Sequence, residues 1–328
     1  MLITKTPFRV SFCGGGSDLA AYYRQYGGCV LSTTINKYVY LSIHPYFDPE
    51  FTLLKYSKNE LVSDIKNIEH SIFRCVLNTY NVNGIEIVST ADVPAGTGLG
   101  SSSTFTVGLL NTLNCYKGKF VSKAWLGAAA CDVEIEKLGA PIGKQDQYAA
   151  AFGGLNFITF HRDDTVSVDP IIMKAETYRK LERNLIMFYT GIKHDANKIL
   201  SKQKQNMDQK DKVNNIKKMT NLAYKMKAAL EANDLSSFGS ILDEGWQLKR
   251  TLTSDITNPI IDELYERAIT NGATGGKLLG AGGGGFLLFY CDETKQPMLK
   301  KALGLQVFDF DFERDGASVV YIGDKYWK

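Results

Sequence analysis

The stretch Pro94-Ala95-Gly96-Thr97-Gly98-Leu99-Gly100-Ser101-Ser102-Ser103 decides how this chain is read. Three glycines at alternate positions permit positive φ and let the backbone come close to a ligand. Three serines follow, and the pattern then turns helical, with Phe105, Leu109, Leu110 and Leu113 recurring at three- and four-residue spacing. Free N–H groups at a helix N-terminus, backed by the helix dipole, form an anion site. Serine hydroxyls placed there cap the helix, bind phosphate oxygens or ligate Mg²⁺. The usual P-loop is absent, because Gly-x-x-x-x-Gly-Lys-Ser/Thr occurs nowhere in the chain. The dinucleotide pattern occurs once, at Gly280-Ala281-Gly282-Gly283-Gly284-Gly285. There it opens into the apolar strand Phe286–Tyr290 and not into a helix, so that reading fails on context.

Phosphoryl transfer also needs a metal to neutralise phosphate charge and a group that orients or deprotonates the acceptor. Downstream of the serines, Ser122 has the place of an N-cap for a second helix carrying Leu126, Ala129, Val133 and Leu138, and Gly139-Ala140-Pro141 ends it. Glu134 and Glu136 lie near the end of this helix, and Asp146 follows at the start of a short third helix, about Gln145 to Ala151. A helix, a sharp turn and a second helix start can bring Glu134 and Asp146 into one cleft, one to hold Mg²⁺ and the other the acceptor. Spacing alone leaves a pair of solvated surface charges equally open.

Strand patterns surround these helices. Phe8–Phe12 runs into Gly14-Gly15-Gly16, Cys29–Leu41 reads as one or two strands, and Gly84–Thr90 alternates. Leu155–Phe160, Asn184–Tyr189, Phe286–Tyr290 and Ser318–Ile322 are further strands, and Ala223–Leu230, Leu235–Leu242 and Ile260–Ile269 are helical. Strands do not alternate regularly with helices, which favours α+β over a doubly wound sheet. At 328 residues the chain suits two domains, 1–175 and 176–328, with Asp163-Asp164 and Pro170 marking turns near the boundary.

Composition narrows the class. Apolar residues make up 44% and charged residues 22%, as in a globular enzyme, and the formal charge of +3 points neither to nucleic acid nor to a membrane surface. No apolar run reaches about 18 residues, and the N-terminus lacks a signal-peptide layout. Six scattered cysteines without a Cys-x-x-Cys pair read as reduced thiols of a cytoplasmic protein, with no zinc site among them. Small molecules are the expected partners, and the sequence leaves room for a homodimer. Residues 198–227 stand out, with nine Lys and two Asp for a net +7. They read as a solvated helix face or mobile loop, or else as an electrostatic funnel or lid for anionic phosphates.

Three motifs in order resemble the GHMP kinase family: Pro7-Phe8-Arg9-Val10-Ser11-Phe12-Cys13-Gly14-Gly15-Gly16-Ser17-Asp18, the loop Pro94–Ser103, and Lys277-Leu278-Leu279-Gly280-Ala281-Gly282-Gly283-Gly284-Gly285-Phe286. The resemblance implies a two-domain fold, with an N-terminal domain like domain 2 of ribosomal protein S5 and a ferredoxin-like C-terminal domain. It implies an ATP-dependent sugar kinase with ATP and Mg²⁺ as cofactors. Ser102 and Glu134 would ligate the metal. Gly96, Gly98, Leu99, Gly100, Ser101, Ser102 and Ser103 would cradle the ATP phosphates. Asp146 would orient the acceptor hydroxyl or take its proton, and Arg9 would stabilise the transferring phosphoryl group. Gly15, Gly16, Ser17 and Asp18, with Gly283 and Gly284, would line the substrate.

Finer features resemble the subgroup acting on D-glycero-D-manno-heptose 7-phosphate in bacterial glycan synthesis: Gly14–Leu19, Leu31–Tyr38, Gly143–Tyr148 and Phe188–Gly191. The chain carries Asn36 where that subgroup often has Asp. Gly14-Gly15-Gly16 replaces the Gly-Glu-His stretch of galactokinases, which lowers galactose as the substrate. A substrate phosphate would need a cationic clamp, and Lys37, Lys144, Lys193 and Arg250 are the candidates. A kinase for a free hexose such as fucose or mannose, and a non-catalytic nucleotide and sugar sensor of the same fold, are the competing readings.

Overall fold

The computed structural model of the chain describes residues 1–192, 196–206 and 209–323. The first half supplies strands β1 (Leu2–Cys13), β2 (Gly28–Pro45), β3 (Thr52–Lys55), β4 (Asn59–Val62), β5 (Ile85–Ala91), β6 (Asn156–Phe160) and β7 (Val166–Pro170). Its helices are α1 (Ala20–Tyr26), α2 (Ser71–Tyr80), α3 (Ser101–Tyr116), α4 (Lys123–Cys131) and α5 (Gln145–Phe152). The second half holds α6 (Ala175–Asn184), β8 (Leu185–Tyr189), α7 (Ala196–Gln205), α8 (Lys210–Glu231), α9 (Phe238–Arg250) and α10 (Pro259–Thr270). It continues with β9 (Ala273–Leu278), β10 (Phe286–Cys291), α11 (Gln296–Leu303) and β11 (Gln306–Val307), and ends with β12 (Phe312–Glu313) and β13 (Ser318–Ile322).

The spine of the molecule is β2. Its run of Val, Thr, Ile and Tyr suits a pleated surface, and the segment read as one or two strands is a single strand of 18 residues. Along one edge β2 pairs antiparallel with β1; along the other it pairs with β6 near its start and with β5 near its end. With β3, β4 and β7 these strands form most of a nine-stranded sheet. Two late strands complete it: β12 pairs with β2, and β13 pairs with β1. These two strands therefore belong by hydrogen bonding to the sheet of the first half. Asn36 holds this return, since its Nδ2 donates to Asp311 Oδ2 at 2.8 Å while its Oδ1 accepts from Asp311 N at 2.9 Å. An aspartate at position 36 could not make the first bond, which gives a physical reason for the departure from the subgroup pattern.

The second sheet is antiparallel, in the order β11-β8-β10-β9. Its core gathers Phe188, Trp246, Tyr265, Leu278 and Phe289, while the larger core gathers Phe8, Phe12, Leu109, Leu113 and Leu242. Helix α9 serves both, giving Leu242 to one and Trp246 to the other. In the Lys-rich segment, α8 buries Ile216, Met219, Leu222, Ala223, Met226 and Leu230 on one side, so its lysines form a solvated helix face. Among the described residues no helix is long and apolar enough to cross a membrane.

Sequence patterning misses β9, because Ala-Thr-Gly-Gly-Lys-Leu lacks the residues that mark a strand. Packing explains it. A Cβ at Gly275 would lie 1.8 Å from the Gly239 carbonyl oxygen of α9, so only glycine lets that helix rest on the strand. Gly275→Ala should cost about 1–3 kcal/mol through overpacking, read as a lower urea midpoint with an unchanged slope.

Candidate active site

Each glycine of the central loop adopts positive φ, at 77° for Gly96, 86° for Gly98 and 80° for Gly100, where Gly100 caps α3. Side chains rarely tolerate this region, and the surroundings close off the alternative as well. A Cβ on Gly98 would stand 2.6 Å from Leu279 O, one on Gly280 would stand 2.4 Å from Gly98 Cα, and one on Gly285 would stand 2.3 Å from Thr97 O. The loop before α3 and the glycine turn between β9 and β10 thus interlock backbone to backbone. Gly283 donates its N–H to Ile256 O, and Gly284 packs against Ile192.

Arg9 reaches this junction from β1. The pairing of β1 with β2 shifts register between Pro7 and Arg9 and again between Ser11 and Cys13, and such irregularities re-aim side chains. Arg9 donates through Nε to Asp146 Oδ1 at 2.7 Å and through Nη2 to Oδ2 at 2.8 Å, while Nη1 donates to Gly98 O at 2.7 Å. Bidentate pairs of this kind fix geometry as well as charge. Asp146 lies in the first turn of α5, and its Oδ2 lies 3.1 Å from where a Cβ of Gly100 would be.

Glu134 sits in a π-helical turn, Asp132–Lys137, that continues α4, and π-turns are frequent at functional sites. It is buried, accepting from Ser102 Oγ at 2.5 Å and from Gln147 Nε2 at 2.8 Å. Burial pushes its carboxyl above the usual range, against hydrogen bonds from Ser102, Ser103 and Gln147. Asp18 is buried too, and accepts from Gly16 N at 3.0 Å and Gln145 Nε2 at 3.0 Å. Its carboxyl is also raised, by burial first and by the charge of Asp146 second. A Cβ on Gly143 would meet Asp18 Oδ2 at 2.0 Å, so the turn before α5 must be glycine there.

The structure therefore gathers Arg9, Asp18, Ser102, Glu134 and Asp146 around one mouth. Ser17 faces the other way: its hydroxyl donates to Gly14 O and Cys29 O and ties the turn to β2. Three buried side-chain oxygens near the mouth, Ser101 Oγ, Gln145 Oε1 and Gln147 Oε1, have no hydrogen-bond partner among the described residues. Buried polar atoms are rarely left so, and Ser101 Oγ at the start of α3 suits a phosphate oxygen. Glu134 with Ser102 suits Mg²⁺, which takes one or two protein oxygens and completes its shell with water and substrate phosphate.

Sequence reasoning missed Gln203, Lys249 and Lys277. Gln203 lies on α7, and its Nε2 lies 2.5 Å from where a Gly16 Cβ would be. Lys249 and Lys277 are buried behind the Gly280 turn. The proposed clamp cations are engaged elsewhere. Lys144 Nζ donates to Asp164 and lies over the Tyr23 ring, Arg250 pairs with Asp262 at 3.0 Å, and Lys37 lies over the Phe308 ring. Lys193 lies outside the described residues.

A carboxyl whose pKa is raised on folding contributes stability below its unfolded value, here 4.5, and that contribution is lost as pH rises through the folded value. Glu134→Gln should therefore stabilise the protein at neutral pH, read as a higher Tm. The gain should shrink as pH is lowered towards 4.5, while Mg²⁺-dependent nucleotide binding weakens. Thermal unfolding across pH and a binding titration check both parts.

Known proteins place the site in context. The model of the GHMP kinases N-terminal domain matches residues 64–154, and that of the C-terminal domain matches residues 226–306. The chain is 31% identical to a D-glycero-alpha-D-manno-heptose 7-phosphate kinase of Campylobacter jejuni, over 95% of this chain and 97% of that protein. A crystal structure of a D-glycero-D-manno-heptose 1-phosphate kinase from Bacteroides thetaiotaomicron superposes with a TM-score of 0.81 at 27% identity, covering 99% of this chain and 100% of the other. A sugar kinase structure from Campylobacter jejuni, described as putative, gives 0.77 at 30% identity, covering 98% of each chain. With both domain models matched in order, and with a relative above 30% identity aligned along nearly its whole length, the chain belongs to the GHMP kinase family.

Proposed function

We infer that this protein is an ATP-dependent kinase that phosphorylates the anomeric hydroxyl of D-glycero-D-manno-heptose 7-phosphate, giving the 1,7-bisphosphate. The observation that carries the reading is the Arg9–Asp146 pair, locked by two hydrogen bonds and seated against Gly98 and Gly100 of the phosphate loop. The name of the Campylobacter jejuni relative supports the choice of sugar.

The steps follow from the groups present. The positive-φ glycines and the N-terminus of α3 receive the triphosphate, and Ser101 supplies a hydroxyl that has no partner among the described residues. Glu134 and Ser102 would hold Mg²⁺, which would neutralise phosphate charge. Asp18 and Gln145, with Gln203 behind Gly16, offer acceptors and donors to sugar hydroxyls. Asp146 takes the proton of the anomeric hydroxyl as its oxygen bonds to the γ-phosphorus and the bond to the bridging oxygen of ADP breaks. A hemiacetal hydroxyl is more acidic than an ordinary alcohol, so a carboxylate suffices as base. Arg9 keeps Asp146 aimed and places a cation beside the phosphoryl group in transit.

The test is ADP release with Mg²⁺-ATP and the heptose 7-phosphate beside mannose, fucose and galactose, with the product identified by phosphorus NMR. Turnover with the heptose phosphate and a new anomeric phosphate signal is expected; preference for a free hexose, or phosphorylation at another position, would reject the substrate assignment. Asp146→Asn should lower kcat by about 10²–10⁴ while nucleotide affinity stays within threefold. Full turnover in that variant would remove Asp146 from the role of base.

A further inference from the structure

Lys249 occupies the last turn of α9, a helix whose sequence attracts notice only for its apolar side. The side chain is 7% exposed, and Nζ donates to two carbonyls of the glycine turn, Leu278 O at 3.5 Å and Gly280 O at closer range. Gly280 is the residue that packs on Gly98, whose own carbonyl accepts from Arg9 at 2.7 Å. The interlocked turns are therefore gripped from both sides, by Arg9 on the phosphate loop and by Lys249 on its partner.

The charges around this grip do not balance. Facing Lys249 are Lys277 of β9, Arg9 of β1, Asp18 of the turn after β1 and Asp146 of α5. Three cations thus meet two carboxylates, and Asp146 is already taken by Arg9. Lys277 donates to Phe12 O at 2.9 Å, with the Cys13 thiol beside it. Among the described residues neither lysine forms an ion pair, although buried charges are ordinarily paired. An uncompensated buried cation next to an anion cradle matches a charge that arrives with the substrate.

We propose that Lys249 is a positioning residue for phosphoryl transfer: its buried ammonium holds the Gly280 turn against the phosphate loop and, with Arg9, provides the positive charge that an incoming triphosphate needs. The proposal rests on reading the loop as the ATP phosphate site, and not on the identity of the sugar. It has a consequence in proton balance. In the free protein, burial drives Lys249 well below the ordinary lysine value, assisted by Lys277 and Arg9 and opposed by Asp18 and Asp146. Burial likewise lowers Lys277 to about 8. A polyanion in the cradle favours the ammonium, so nucleotide binding takes up protons at mildly alkaline pH.

The experiment is calorimetric binding of Mg²⁺ with a non-hydrolysable ATP analogue to the full chain. Titrations in two buffers of different ionisation enthalpy near pH 8.5 give the number of protons taken up. The wild type should show net uptake. Lys249→Arg keeps a charge that cannot titrate and should lose at least half of that uptake. Lys249→Met should also lose it and should lower kcat about 10²-fold, with KM for the sugar within threefold. Unchanged uptake in Lys249→Arg would transfer the effect to Lys277 and overturn the proposal. So would a Lys249→Met protein that loses thermal stability and nucleotide affinity at an unaltered proton count, since that is a purely structural role. Should Lys249→Met fail to fold, the proton count of Lys249→Arg decides alone. No sugar is present in the calorimeter cell, so an incorrect substrate assignment leaves the proton counts, which decide the proposal, untouched.

Discussion

Contact between two backbones, Gly98 against Gly280, sets the geometry on which the site depends. A side chain on either residue would force the turns apart, and with them the surfaces of the two sheets. Because the turns touch, Arg9 can reach across the phosphate loop to Asp146 while still bonding Gly98 O. The same closeness puts α9, a helix shared by both cores, directly behind the cradle. Glycine here is required by space as well as by φ, and the two requirements reinforce one another.

The stretch from Gly96 to Ser103 was legible because its demands are local. Alternating glycines followed by serines announce positive φ and a helix start without any knowledge of the fold, although the cap itself falls on Gly100 and not on a serine. The long strand β2, helix α3 and the Ser122 cap were legible for the same reason, and Ser122 Oγ does accept from Trp125 N at 3.1 Å. Glu134 and Asp146 could be named as partners in one cleft but not chosen over surface charges, since spacing does not report burial. The family resemblance assigned their roles, and the structure then brings both to the phosphate loop, one against Ser102 and the other against Gly100.

What stayed hidden depends on tertiary contact. Lys249 precedes Arg250, which the sequence offers as a clamp for a substrate phosphate, while nothing in the sequence singles out Lys249. In the fold one is enclosed and the other pairs with Asp262 near the surface. Gln203 sits among lysines whose charge dominates the reading of the segment, yet its helix brings it to Gly16. Strand β9 is invisible to patterning because its two glycines answer to α9 and to Phe289, and not to the pleat. In each case the deciding neighbour is far away in sequence.

The active site also concentrates cost. Glu134 and Asp18 are enclosed carboxylates, and burial raises the pKa of both. Hydrogen bonds to Glu134 and Asp18 oppose that rise, and among the described residues Lys249 and Lys277 have no carboxylate partner.

The return of β12 and β13 to the first sheet has a bearing on how the protein is made. During synthesis β1 emerges long before its outer neighbour β13, so the larger sheet keeps an open edge until residues 318–322 have emerged. The N-terminal strands must wait, exposed to pairing with other nascent chains, while the smaller antiparallel sheet has all of its strands once residue 307 has emerged. The order of completion is therefore the reverse of the order of synthesis, and the last strands act as the latch that closes the fold.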